Sequence, residues 1–295
     1  MEKRILITGG SGLLGQYLNV VTAKENNILT LYNTHIGNCV EFKNEKADIT
    51  NFESIKEIFP SFKPEIVIHS AAATNPIPFP SQHSKDVYMV NVNATKNIAE
   101  LCDRFGARLI YISTDLVYAG YRSSMLSEDA KLIPVSLYAE TKLMGEIKIK
   151  EIFENYLILR TALLFGFGLN HSKCHFQNMN YNLRNDKPAK LFVDQFRTPI
   201  SLNETAETIY KISLLDIMSE TINLGGVERV SRYELGEILC SIAGYNKNLL
   251  KKIILDDIPD LPKVADVSLN TDKLQSLGIK QMSIEESISK IIRVN

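Results

Sequence analysis

The run Thr8-Gly9-Gly10-Ser11-Gly12-Leu13-Leu14-Gly15 stands directly between a short apolar segment, Arg4 to Thr8, and a stretch with helical periodicity, Leu13 to Ala23. A strand that turns through glycines into a helix presents bare backbone N–H groups and the positive end of the helix dipole at one spot, which suits a pyrophosphate. The run satisfies both G-x-G-x-x-G (Gly10, Gly12, Gly15) and T-G-x-x-G-x-x-G (Thr8, Gly9, Gly12, Gly15). Glycines alone would make a turn. The strand before and the helix after make a dinucleotide fingerprint, with Gly9, Ser11, Gly12, Leu13, Leu14 and Gly15 expected to meet the phosphates. No G-x-x-x-x-G-K-S/T element occurs, which excludes an ATP-hydrolysing loop of that kind.

The same alternation continues along the first half. Apolar runs at Arg4 to Thr8, Ile28 to Tyr32, Glu65 to His69, Arg108 to Ser113 and Leu157 to Leu163 are expected strands. Leu13 to Ala23, Phe52 to Ile58, Val87 to Arg104 and Tyr138 to Phe153 are expected helices. This predicts an α/β fold with a doubly wound parallel Rossmann sheet. Helix starts are marked by S/T-x-x-E capping boxes at Thr50 with Glu53, Ser231 with Glu234 and Ser283 with Glu286. After Phe165-Gly166-Phe167-Gly168 the rhythm weakens into an Asn-rich, loop-like stretch. It resumes as helix Glu204 to Asp216, strand Ile222 to Leu224 and helix Tyr233 to Ile242. The expected organisation is a cofactor domain of residues 1–165 plus about 197–224, with a smaller C-terminal substrate lobe of about 166–196 plus 225–295.

A chain of 295 residues, 45% hydrophobic, can fill a substantial core. Its net charge of −1, with both signs scattered, offers no field for nucleic acid or an anionic membrane. Ile5-Leu6-Ile7 is interrupted by Gly9 and Gly10 too early for a signal peptide, and no other run approaches membrane-spanning length. Cys39, Cys102, Cys174 and Cys240 stand far apart with no CxxC pair, as expected for free thiols in the cytoplasm.

The end of the second strand reads Tyr32-Asn33-Thr34-His35. An acid there would bind the ribose hydroxyls of NAD; its absence tilts the expectation toward NADP(H) over NAD(H), with Asn33 and His35 near the ribose and His35 either a phosphate ligand or a solvated loop residue. Farther on, Tyr138-Ala139-Glu140-Thr141-Lys142 opens a helix, placing Tyr138 and Lys142 one turn apart on one face. An ammonium and an oxidised nicotinamide nearby would lower the tyrosine from its usual value near ~10, making an acid/base for carbonyl reduction. Read alone, the pair is more often an amphipathic helix with a half-buried tyrosine and a snorkelling lysine; the phosphate turn makes the functional reading dominate. Thr114 ends the strand before it, where doubly wound sheets carry their sites.

With these residues the chain resembles the extended short-chain dehydrogenase/reductases. Within them it resembles the dTDP-4-dehydrorhamnose reductase family, which includes the regulatory β subunit of methionine adenosyltransferase. The resemblance runs almost end to end. It is carried by the glycine turn and Tyr138/Lys142, by Ala47-Asp48-Ile49, His69-Ser70-Ala71-Ala72-Ala73 and Asn91-Val92-Asn93-Ala94-Thr95-Lys96-Asn97, and by Ile112-Ser113-Thr114-Asp115-Leu116-Val117-Tyr118. Leu159-Arg160-Thr161, Asp194-Gln195-Phe196-Arg197-Thr198-Pro199 and Ser268-Leu269-Asn270 continue it. The resemblance implies that Asp48 and Ile49 hold adenine, that Ala71, Ala72, Ala73 and Thr161 line the cofactor, and that Asn91 braces the site. It implies that Thr114 binds the substrate carbonyl, Tyr138 delivers the proton, and Lys142 binds the nicotinamide ribose. Asp115 and Arg197 would face a nucleotide-sugar substrate, although a structural ion pair is an equal reading of Arg197.

Arg197 and Ile200 depart from the D-Q-x-G-x-P-T of the reductases and stand closer to the adenosyltransferase subunit. The main expectation is reduction of a keto group on a nucleotide-linked deoxysugar, with the substrate between the two lobes. A redox epimerase retaining NAD and a non-catalytic regulatory subunit are the rivals. The expected partner is the small-molecule substrate, and a homodimer is the one assembly left open. His171 and His175, flanking Cys174, have metal-like spacing, but without an H-E-x-x-H glutamate they read as polar loop residues and no metal is expected.

Overall fold

The structure is a computed structural model that describes residues 2–74, 84–121, 123–259 and 261–294. Six strands come from the first half: β1 (Arg4–Thr8), β2 (Asn27–Tyr32), β3 (Asn44–Lys46), β4 (Ile66–His69), β5 (Arg108–Thr114) and β6 (Tyr156–Thr161). After β7 (Ala189–Phe192), which lies elsewhere, β8 (Glu220–Leu224) completes a seven-stranded sheet ordered β8-β6-β5-β4-β1-β2-β3, parallel throughout. The order reverses between β1 and β4. Open parallel sheets bind their ligands at the carboxyl edge of that switch point.

Apart from the polar edge strand β3, the strands are apolar on both faces, as a sheet covered on two sides requires. Ile5, Ile7, Ile28, Ile68, Ile110 and Leu159 pack in one core with Leu18 of α1 (Gly15–Thr22) and Ile209 of α6 (Leu202–Ser213). Leu6, Leu29, Val67, Leu109 and Ile158 face the opposite core, with Phe59 of α2 (Phe52–Phe62), Ile98 of α3 (Thr95–Phe105) and Ile149 of α4 (Leu137–Ile152). The period-2 alternation of Ile5, Leu6 and Ile7 between the two cores fixes register, since a one-residue slip would exchange every side chain.

A separate core is built by Phe176, Met179 and Leu183 of α5 (His175–Arg184), Leu235 and Leu239 of α7 (Arg232–Ala243), and Ile284 and Ile288 of α8 (Ile284–Val294). Ala189 and Leu191 of β7 and Leu250 of β9 (Leu250–Ile253) join it. Helix α5 corrects the loop-like reading of the Asn-rich stretch: polar composition hid Phe176, Met179 and Leu183, which recur on one helical face. Of its aromatics, Phe176 is in this core and Tyr181 is exposed. Residues Leu274 and Ile279 return to the sheet's own core, and Val264, Val267 and Leu269 pack beside Val117 and Tyr118.

Two capping boxes form at Ser231/Glu234 and Ser283/Glu286, each with hydroxyl and carboxylate bonds to the opposite backbone N–H. The Thr50/Glu53 box does not form. Asn51 caps α2 through Ser54 N–H, while the Thr50 hydroxyl is engaged by Asp48 Oδ1 and so is not free to cap. Among the described residues no helix is long and apolar enough to cross a membrane.

Candidate active site

The glycine turn is packed backbone against backbone. Gly9 takes φ +68°, and a Cβ there would stand 2.7 Å from the Ala71 backbone; a Cβ on Gly15 would stand 2.0 Å from the Gly9 carbonyl oxygen. Helix α1 begins with neither a side-chain cap nor an acid in its first turn. Its N–H groups therefore remain for an anion, and the cradle fits a dinucleotide pyrophosphate.

The carboxyl ends of the strands open into a cleft of about 700 Å³, a size suited to a large cofactor. It is lined by residues 9, 11–15, 31–35, 47–49 and 70–74, together with Tyr138 and Thr161. Of the residues expected to touch cofactor, only Asn91 and Lys142 lie outside this lining. Asn91 is buried and clamps the wall: its Oδ1 accepts from Ala73 N–H (2.8 Å), and its Nδ2 donates to Ala73 O (3.1 Å) and Thr141 Oγ1 (3.0 Å). It thereby ties the 70–74 wall to α4.

Ser136 caps α4 through Ala139 N–H and so fixes where its first turns point. Tyr138 follows in that first turn and Lys142 one turn later. Burial pushes the Tyr138 phenol up to about 12, the Asp115 carboxylate adds to this, and the Thr114 hydroxyl beside it acts the other way. Lys142 is 2% exposed. Burial pulls its ammonium down to about 7 while Glu146 opposes the shift, and Nζ lies 3.9 Å from the centre of the Tyr111 ring. Burial is the largest influence on the phenol, and the Lys142 ammonium lies over the Tyr111 ring with Glu146 raising its affinity for the proton.

Thr114 donates to Asp115 Oδ1 (3.1 Å) and accepts from Leu116 N–H. Asp115 Oδ2 faces Arg197 Nε at 3.5 Å and has no hydrogen bond among the described residues. Burial holds the Asp115 carboxyl above its ordinary range against Arg197, Thr114 and Arg232. Arg232, not singled out by the sequence, donates to Gln195 (3.0 Å) and is pulled down to about 10 by burial and by Arg197. The structure thus gathers Thr114, Asp115, Tyr138, Arg197 and Arg232 into one electrostatic cluster beside the cleft.

His69, fully buried, was quoted only as part of a motif. Its Nδ1 is 2.6 Å from Thr8 Oγ1 and its Nε2 is 3.0 Å from Thr95 Oγ1. Thr95 spends its single proton on Asn91 O (2.8 Å), so Nε2 must donate and Nδ1 accept from Thr8. Burial, with Lys142 nearby, pushes this imidazole down to about 3, leaving a neutral strut between β1, β4 and the Asn91 turn. Its position at the end of β4, like Thr114 at the end of β5, was the available signal. His171 and His175 do not converge: His171 packs on His35 (ring centres 4.7 Å), and His175 opens α5.

Fold and cleft together have the arrangement of the extended short-chain dehydrogenase/reductases. The family model described as "RmlD substrate binding domain" matches residues 3–294, and the chain belongs to that family. It is 28% identical to a dTDP-4-dehydrorhamnose reductase of Aggregatibacter actinomycetemcomitans, covering 98% of each chain. It is 27% identical to methionine adenosyltransferase 2 subunit beta of Xenopus laevis, covering 95% of this chain and 84% of that one. The solved dTDP-4-dehydrorhamnose reductase of Bacillus anthracis, in complex with NADP, superposes with a TM-score of 0.85 at 24% identity over 100% of both chains.

Proposed function

We propose that the chain is an NADPH-dependent reductase of a keto group on a nucleotide-linked deoxysugar, acting as a dTDP-4-dehydrorhamnose reductase does. One observation carries this: Tyr138 lines the dinucleotide cleft with the Thr114 hydroxyl beside its phenol. Bound nicotinamide supplies the hydride. The chain's own residues do the rest. Thr114 presents a hydroxyl to the substrate carbonyl oxygen, and Tyr138, held protonated by burial, donates its proton to that oxygen as charge develops. Lys142 binds the ribose and offers positive charge to the phenolate that Tyr138 leaves. Asp115 and Arg197 orient the sugar nucleotide, with Asp115 Oδ2 available to a sugar hydroxyl.

In this reading residues 1–165 and 197–224 hold cofactor, and 166–196 with 225–295 close over the sugar nucleotide. The lack of an acid after β2 supports NADPH over NADH. Free thiols at all four cysteines suit the cytoplasm. The similarity to the adenosyltransferase subunit favours a second reading, a regulatory nucleotide-binding chain. The Tyr138→Phe variant separates them. As a reductase it should keep its NADPH affinity while turnover drops about 10²- to 10⁴-fold, measured by steady-state oxidation of NADPH with keto sugar nucleotides. Undiminished turnover would remove Tyr138 from the chemistry; a wild type inactive across such substrates would favour the regulatory reading.

A further inference from the structure

We propose that His171 and Lys173, carried by the segment that follows Gly168, complete with His35 a binding corner for the 2′-phosphate of NADPH. The inference rests on the dinucleotide reading of the cleft and adds to it a specificity device from a remote part of the chain.

That segment is fastened down over the start of α1. Gln16, itself fully buried, donates through Nε2 to Ser11 O (3.1 Å), Leu169 O (2.9 Å) and Ser172 Oγ (3.0 Å). Its Oε1 accepts from Asn170 Nδ2 (2.8 Å) and Asn38 N–H (3.2 Å). Tyr17 OH adds a bond to Phe167 O at 2.7 Å. Residues 167–172 are thus positioned by the same helix whose N-terminus receives the pyrophosphate.

The consequence is a set of basic side chains lining the cleft. His171 packs against His35 with ring centres 4.7 Å apart and planes tilted by 40°, and His35, His171 and Lys173 all line the cleft. Its one acidic lining residue is Asp48, whose Oδ1 is already engaged by Thr50 N–H and Oγ1. Neither His171 nor Lys173 makes an ion pair among the described residues. Two imidazoles packed together, with an ammonium lining the same cleft, are complementary to a dianion.

The place identifies the anion. The residues just after the second strand of such a sheet lie at the adenosine ribose, where a carboxylate would select the free 2′-hydroxyl and an arginine would select its phosphate. Here neither is present. His35 occupies the strand end and the missing charge is supplied from across the cleft. A phosphomonoester with close to two negative charges draws on all three groups, whereas a ribose hydroxyl draws on none of their charge.

The test is calorimetric titration of the full chain with NADPH and with NADH, checked by nicotinamide fluorescence, which no tryptophan obscures. Single His171→Ala and Lys173→Ala substitutions should each weaken NADPH about tenfold, and the double variant about a hundredfold, while NADH shifts less than about twofold. His35→Ala should behave as His171→Ala does. All three side chains are exposed, so the variants should melt with the wild type. Equal losses for NADPH and NADH would reassign these side chains to the shared pyrophosphate and overturn the proposal, as would no loss for either. A wild type that binds neither cofactor overturns the reading of the cleft itself; one that binds both with variants unchanged overturns the phosphate corner alone.

Discussion

Two buried arginine–carboxylate pairs in this molecule are built to opposite standards. Arg160 and Glu146 meet in a two-point contact, Nε to Oε1 at 3.1 Å and Nη2 to Oε2 at 2.8 Å, both side chains at most 2% exposed. Ser113 donates to Glu146 Oε1 (2.5 Å), and Arg160 Nη1 donates to Tyr118 OH and Glu128 O, both at 2.9 Å. Arg197 and Asp115 touch once, at 3.5 Å, and leave Asp115 Oδ2 without a hydrogen bond. Desolvation costs each ion several kcal/mol, so a buried pair holds only when its remaining donors and acceptors are also satisfied. The first pair meets that condition from within the chain. The second is incomplete, and in the proposed function its open oxygen is left for the substrate. Lys142 stands between them on α4, one turn after Tyr138 and one turn before Glu146.

The largest effect expected from this contrast is on stability. Arg160→Met strands the Glu146 carboxylate in the interior and should cost about 3–5 kcal/mol in a denaturant or thermal melt; a loss under about 1 kcal/mol would put the two pairs in the same class. Next comes Lys142→Met. With its folded value near 7 and an unfolded value near ~10.4, the buried lysine binds fewer protons folded than unfolded between those limits. Stability therefore rises with pH across that window, and the penalty is fully present below it. Removing the ammonium should stabilise the cofactor-free protein by roughly 2–4 kcal/mol at pH 6.5 and by less at pH 9.5, while abolishing tight cofactor binding. A gain that is the same at both pH values would show that the charge is not the cause. The smallest expected change is from Asp115→Asn. The amide relieves a carboxyl that burial already disfavours but also removes the counter-charge of Arg197, so stability should move by no more than about 1 kcal/mol. The KM for sugar nucleotide should rise while NADPH affinity stays put, and an unchanged KM would mean that the open oxygen serves no ligand.

Where chemistry is local, the sequence was enough. The glycine turn follows from steric demands within eight residues, the Tyr138/Lys142 face from helical spacing, and the boxes at Ser231 and Ser283 from partners three residues away. Six of the seven sheet strands were legible because a sheet covered on both faces needs apolar runs, whereas the edge strand β3, Asn-Glu-Lys, carries no such signal. Even so, Asn51 displaced Thr50 as the cap of α2, and the amphipathic stripe of α5 was masked by interleaved asparagines, of which Asn180 is itself buried and accepts from Tyr245 OH. The protonation behaviour of Tyr138 and Lys142 was beyond sequence altogether, since it depends on how much water the remote segments exclude and on where each charge is aimed. Likewise Arg160 with Glu146, His69 with Thr8 and Thr95, and His171 with His35 are separated by stretches of chain that only folding closes. Sequence determined which groups this protein possesses and the turns that carry them. Tertiary structure decided which of those groups are buried, paired or left open, because desolvation and Coulomb interactions act through space and take no account of position along the chain.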